Sequence, residues 1–225
     1  MVKKILIALD FDHTIIDDNS DTSLYKLAPD KKIPPELKAL YHENGWTHYM
    51  NEVFKYLHRN NVKKQDILSC LENIPLTEGM DELFSTLPED LTEYIIISDS
   101  NTIFIDHILN HKNIRHKFRD ILASYVTSRL NEGVEFPRLA YVGDGFNDFC
   151  PCLRLTENDG VFPRLDYKLL KTISKMEKDH HLTIKAKVFP WSTAKDILNV
   201  MLPWYSDLNI SCSTPRLYDP GPITL

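Results

Sequence analysis

Two acids one residue apart, Asp10 and Asp12, stand directly after an apolar run, Ile5-Leu6-Ile7-Ala8-Leu9. An ionised carboxylate is a nucleophile and a protonated one supplies a proton to a leaving group. Held side by side, the two repel unless a cation joins them or one keeps its proton. A second acidic cluster, Gly143-Asp144-Gly145-Phe146-Asn147-Asp148, follows another apolar run. Carboxylates from both clusters, with room for water, suit a hard divalent cation, Mg2+ above all. The glycines permit a sharp turn and close backbone approach. A third run ends in Ser98-Asp99-Ser100-Asn101, a hydroxyl and free N–H groups at a helix start. That arrangement receives an anion such as phosphate; its plainer reading is an ordinary helix cap at Ser98.

Side chains of this kind act together only if the chain brings them to one place. Continuous apolar runs at 5–9, 94–97, 121–123, 139–142 and, more weakly, 187–189 predict strands buried on both faces. Helical patterns at 102–109, 148–155, 167–175 and 193–201 lie between them. Alternating strands and helices predict an α/β fold with a Rossmann-like parallel sheet, whose carboxyl edge is where such sheets bind ligands. An extended chain through residue 12 would put Asp10 and Asp12 on one face and turn Phe11 to the core. Residues 17–91 break the alternation with helical patterns at 22–27, 35–42, 46–57, 65–71 and 80–87, punctuated by Pro34-Pro35, Gly45, Pro75 and Gly79. They predict a helical cap inserted into a core made of 1–16 and 92–202. Residues 203–225, with Pro203, Pro215, Pro220 and Pro222, predict a loose tail.

The chain has 225 residues, 43% hydrophobic and 26% charged, enough to bury a core and too apolar for disorder. Acids outnumber bases 32 to 26 with no basic stripe, which argues against a nucleic-acid partner. No apolar run approaches the roughly 20 residues of a membrane span, and the run at 5–9 is too short for a signal peptide. Cys70, Cys150, Cys152 and Cys212 form no C-x-x-C pair and are too scattered for a disulfide framework. A cytoplasmic protein with reduced thiols is the expectation, its oligomeric state left open. No Gly-rich loop of the G-x-x-x-x-G-K-[ST] type exists, which excludes a P-loop nucleotidase.

In this order, Asp10-x-Asp12-x-Thr14, a strand ending at Ser98 and Gly143-Asp144-x-x-x-Asp148 resemble the haloacid dehalogenase superfamily. Asp17, Ser20 and Asp21, Ser98-Asp99-x-Asn101 and Gly145-x-Asn147-Asp148-Phe149-Cys150-Pro151 narrow the resemblance. They are similar to the phosphoethanolamine/phosphocholine phosphatase and pyridoxal phosphate phosphatase family, and the likeness runs from about residue 3 to 202. It implies Mg2+-dependent hydrolysis of a small phosphomonoester through an aspartyl-phosphate. Asp10 is then the nucleophile and Asp12 the acid and base. Asp10, Asp144 and the Asp12 backbone carbonyl hold the metal, with Asp148 nearby, while Ser98, Asp21 and Asp99 bind the substrate. Phosphoethanolamine, phosphocholine and pyridoxal phosphate stay open as substrates.

The same resemblance implies a lysine between the third and fourth expected strands, and residues 124–138 contain none. Positions 125–138 suffice for a crossover with a single short helical turn. Losing one positioned cation costs about 10²–10³-fold in rate, so an impaired phosphatase is the expectation. Arg129 is the nearest replacement. The alternative is a weak or inactive phosphate-binding pseudo-enzyme. A receiver-type signalling domain also combines strand-end acids with a hydroxyl, but it needs no 70-residue helical insertion.

Overall fold

The structure, a computed structural model, describes residues 2–41, 45–119, 129 and 132–208. Strands β1 (Val2–Leu9), β2 (Thr92–Ile96), β3 (Val134–Gly143), β4 (Gly160–Pro163) and β5 (Lys187–Val188) form one parallel sheet in the order β2-β1-β3-β4-β5. β1 is central: Leu9 pairs with Ile96 on one side and Val142 on the other. Its residues from Ile5 to Leu9 are buried whichever face they point to, which is why the run carries no polar alternation. The ladder continues one step past each strand, through Ile97 N–H to Leu9 O (2.9 Å) and Asp10 N–H to Val142 O (2.9 Å). Asp10, Ser98 and Asp144 therefore leave the same edge of the sheet.

Helices α1 (Pro35–Lys38), α2 (Trp46–Arg59), α3 (Lys64–Glu72), α4 (Met80–Thr86), α5 (Thr102–His111), α6 (Phe149–Cys152), α7 (Lys168–His180) and α8 (Ala194–Asp207) complete the described elements, with 3-10 turns at Thr22–Leu27, Pro29–Lys31 and Arg115–Lys117. The chain divides into two compact units. The first, Met1–Ile15, Leu76–Ser98 and His116–Leu225, holds the sheet; the second, Ile16–Pro75 and Asp99–Arg115, is helical. In the first unit Leu6, Ala8, Ile95, Tyr141 and Val161 share a core with Phe149, Leu155 and Leu169. In the second, α2 turns Tyr49, Met50, Val53 and Leu57 inward, and Phe54 packs edge-on to Phe104 of α5, centroids 6.0 Å apart.

The helical insertion is present, with different limits from those the sequence suggests. Residues 76–91 pack with the sheet unit: Thr77 N–H bonds Ile15 O (3.0 Å), Ala194 N–H bonds Glu78 O (2.8 Å), and Phe84 meets Tyr94 edge-on. Residues 99–115 pack with the insertion instead; in that unit His107 Nε2 lies 3.1 Å from Glu72 and Lys112 Nζ donates to Glu72 O.

Three further differences have local causes. The expected loose tail does not begin at Pro203, because α8 runs through it to Asp207. Trp204 and Tyr205 are buried there, the Tyr205 hydroxyl 2.7 Å from Thr92 Oγ1. β3 starts at Val134, so 134–138 is strand rather than crossover; Pro137 falls where the register shifts between Lys3 and Ile5, a bulge that spares the missing N–H. β4 has no counterpart among the expected strands, since it is four residues long and bounded by Gly160 and Pro163, which read as breakers. Gly160 is there for space: a Cβ would stand 2.7 Å from the Trp204 ring. The expected strand at 121–123 lies outside the described residues.

Candidate active site

The chain does not stay extended after β1. It closes a π-type turn over Phe11–Ile15, with Asp12 extended (ψ 137°) and His13 left-handed (φ 54°, ψ 8°). Asp10 and Asp12 are thus placed by a turn rather than by strand alternation, although Phe11 is fully buried as expected. Arg164 Nη1 donates to His13 O at 2.5 Å and helps satisfy this turn.

Asp10, Asp144 and Asp148 each offer a carboxylate oxygen within 4.8 Å of the others. Asp148 is the best-satisfied of the three. Its Oδ1 accepts the Tyr141 hydroxyl (2.7 Å), and its Oδ2 accepts the backbone N–H groups of Asp144 (2.9 Å) and Gly145 (2.7 Å). Glycine is required at 143, because a Cβ would lie 2.5 Å from Asp148 Oδ2. Asp10 is only 4% exposed, and its Oδ1 has no hydrogen-bond partner among the described residues. Burial and the neighbouring Asp148 push its carboxyl up to about 9, against help from the Phe11 N–H and the Ser98 hydroxyl. Burial and Asp148 likewise raise Asp144 to about 7, with Arg164 opposing.

A buried acid trio in which one Asp10 oxygen has no hydrogen-bond partner among the described residues is an unfinished electrostatic arrangement. A hard divalent cation fits it: the donors are all oxygen, and the charge it brings offsets the burial and the mutual repulsion that keep protons on Asp10 and Asp144.

Ser98 reaches Asp10, while the cap of α5 is Asn101, whose Oδ1 accepts Ile103 N–H at 2.9 Å. Ser98 is therefore not the helix cap. The Asp12 carboxylate lies outside the trio, though its charge is felt by Asp144. Asp21 and Asp99 belong to the helical unit. Asp21 is buried and accepts Trp46 Nε1–H at 2.9 Å. Trp46 in turn packs with Tyr41 and Tyr49, the three ring centroids 5.5 to 5.8 Å apart.

Arg129 does not serve the acid trio. Its guanidinium is bound to Glu93 (Nε to Oε2, 2.9 Å) and to Glu132, and Lys4 lies 3.5 Å from the same Glu93. Glu93 pairs with Leu6, four residues before Asp10 and so roughly 13 Å down the strand. Among the described residues Arg164 is a cation whose charge bears on Asp144, and it is not among the residues expected at the site. The available signal was a basic residue directly after the short apolar run Gly160–Pro163.

A parallel sheet with an inserted helical unit, and acids from β1 and β3 beside a serine from β2, is the architecture of the haloacid dehalogenase class of hydrolases. Among solved structures, one described as a putative phosphatase from Clostridium difficile superposes with a TM-score of 0.56 at 16% identity, covering 89% of this chain and all of the other. A substrate-bound phosphoserine phosphatase superposes with a TM-score of 0.52 at 15% identity, covering 91% and 99%. A family model described as Putative Phosphatase matches residues 5–124 and 119–205, and the chain belongs to that family of phosphoric monoester hydrolases. Mouse pyridoxal phosphate phosphatase PHOSPHO2 is 36% identical over 233 residues, covering 87% of this chain and 96% of the relative. Human phosphoethanolamine/phosphocholine phosphatase is 34% identical, covering 86% of each. The two stretches of the family match meet at 119–124, next to the segment that the sequence reads as shortened.

Proposed function

We propose that this chain hydrolyses small phosphomonoesters through an aspartyl-phosphate on Asp10, with Mg2+ as cofactor, and that it does so in the cytoplasm. The observation that carries the reading is the buried, unpartnered Oδ1 of Asp10 beside Asp144 and Asp148. Mg2+ would be held by Asp10, Asp144 and the Asp12 carbonyl, with Asp148 orienting the loop; it supplies charge cancellation at the carboxylates and the phosphoryl oxygens.

The residues then divide the work. Asp10 attacks phosphorus and the P–O bond to the alcohol breaks, while Asp12 gives its proton to the departing oxygen. In the second half Asp12 takes a proton from water. The water oxygen displaces Asp10 from phosphorus, which releases inorganic phosphate and restores the Asp10 carboxylate and the protonated Asp12. Ser98 steadies Asp10 and offers a hydroxyl to the phosphoryl group.

Asp21 and Asp99 recognise the organic end of the substrate. Acids given to substrate recognition serve no purpose for the phosphate itself, and they suit a substrate whose far end is an ammonium. The Trp46 ring on Asp21, packed with Tyr41 and Tyr49, supports that choice. Phosphocholine, phosphoethanolamine and pyridoxal phosphate are the candidates the relatives suggest. Free thiols at Cys70, Cys150 and Cys152 agree with a reducing compartment.

The test is phosphate release from those three compounds with Mg2+ and with a chelator. Release is expected with Mg2+ only. Asp10→Asn should lower it by about 10⁴-fold or more. Turnover that survives chelation or the Asp10 substitution would reject the reading.

A further inference from the structure

We propose that Arg164 is a positioning residue of the phosphatase reaction: it locks the reversed backbone at His13, and through it Asp12, to the loop that carries Asp144. Arg164 leaves the end of β4, and its two halves reach the two acidic loops. Its backbone N–H bonds Gly143 O at 2.9 Å, one residue before Asp144. Its guanidinium bonds His13 O at 2.5 Å, one residue after Asp12. The side chain has little freedom to do otherwise, because the guanidinium carbon sits 4.8 Å from the Tyr167 ring centre and 5.3 Å from that of Trp191.

Those rings are themselves fixed. Trp191 is fully buried and donates Nε1–H to Phe162 O at 2.9 Å. Its backbone is tied to Pro163 O and Leu165 N–H, on either side of Arg164. The Tyr167 ring also meets the His13 ring, centroids 5.5 Å apart. Two residues beyond Tyr167, Leu169 N–H bonds Asp144 O at 2.7 Å.

A residue is needed here because of what His13 is asked to do. A left-handed conformation is unfavourable for a side chain with a Cβ and persists only when its surroundings impose it. If residue 13 relaxed to an ordinary φ, the peptide joining it to Asp12 would rotate, and the Asp12 carbonyl and carboxylate would move with it. Small displacements of reacting groups cost large factors in rate. The guanidinium fork, bonded on one side and stacked on the other, suits such a clamp better than an ammonium does.

The inference rests on the role proposed for Asp12, and a readout without turnover keeps the two separable. Arg164→Met is compared with wild type in steady-state kinetics with Mg2+, and in amide hydrogen exchange of residues 11–15 without substrate. The expected result is a kcat loss of about 10–100-fold with KM within about threefold, and faster exchange at Thr14 and Ile15. His13→Asn, a residue more tolerant of positive φ, should recover part of the kcat lost in Arg164→Met. Should Arg164→Met not fold, Arg164→Lys is judged by the same split. A KM rise of tenfold or more without recovery by His13→Asn would overturn the proposal, since Arg164 would then be binding the substrate. Unchanged kcat with unchanged exchange would overturn it as well. An inactive wild type would remove the proposed function, while the exchange measurement still decides whether Arg164 holds the turn.

Discussion

The Tyr141 hydroxyl donates to Asp148 Oδ1 at 2.7 Å from inside the sheet, while the other oxygen of the same carboxylate gathers the Asp144 and Gly145 N–H groups. Asp148 is therefore held from the strand side and in turn holds the loop. Burial, with Asp148 beside them, raises the carboxyls of Asp10 and Asp144 and pushes the Tyr141 phenol far above its ordinary value.

Tyr141→Phe removes that donor and leaves Asp148 Oδ1 buried without it. Outer groups that orient metal-site acids contribute about 10–100-fold to metal affinity or activity. We expect the Mg2+ concentration for half-maximal activity to rise about tenfold, and the melting temperature to fall by a few degrees. Magnesium titrations of both proteins measure it, and an unchanged titration would separate Asp148 from the metal site.

Metal-free protein should lose stability as pH rises. Asp10 and Asp144 ionise near 3.8 when unfolded, and when folded they hold their protons up to about 9 and about 7. Their contribution is whole below the unfolded value and drains as pH climbs through the folded values, because the unfolded state then binds fewer protons than the folded one. Mg2+ offsets the charge that appears. The melting temperature without metal should fall between about pH 5 and pH 9, and the increment due to Mg2+ should grow over the same interval. An increment independent of pH would place the cation elsewhere.

Arg129→Ala should damage the fold rather than the chemistry. Glu93 is 3% exposed, and breaking one partner of a buried ion pair costs roughly 3 kcal/mol, taken at the low end because Lys4 remains. That corresponds to a melting temperature lower by roughly 6–12 °C for a chain of this size. Mg2+-dependent turnover per folded molecule should change less than twofold. A rate loss of tenfold without a melting shift would return Arg129 to the phosphate.

Much of this was legible because strand-end chemistry is local. Asp10, Ser98 and Asp144 each follow an apolar run, and a parallel sheet aligns such ends at one edge. Less visible were features decided by tertiary contact. The turn at His13 overrides strand alternation, and the carbonyl of its left-handed residue is bonded by Arg164 from 151 residues away. Asn101 displaces Ser98 as the cap of α5 because Ser98 is taken by Asp10. β4 is hidden by Gly160 and Pro163, chosen for the Trp204 ring and the strand end. Pro203 reads as a helix stop, yet α8 continues through it to bury Trp204 and Tyr205.

The substrate's organic end offers the last prediction. Asp21 is buried in the helical unit with Trp46 Nε1–H on one of its oxygens, among aromatic rings. A trimethylammonium or ammonium head would meet both that carboxylate and the ring faces. Asp21→Ala and Asp99→Ala should each lower kcat/KM for phosphocholine and phosphoethanolamine at least about tenfold more than for a neutral aryl phosphate, the discrimination expected of a charge-assisted contact. Trp46→Ala removes a ring worth about 0.5–2 kcal/mol to a cation, so a loss of about 2–30-fold should appear with phosphocholine and not with the aryl ester. Melting curves of the three variants guard against a folding defect. Equal losses on charged and neutral esters would assign Asp21 and Asp99 to the fold or the metal, and the ammonium reading would fall.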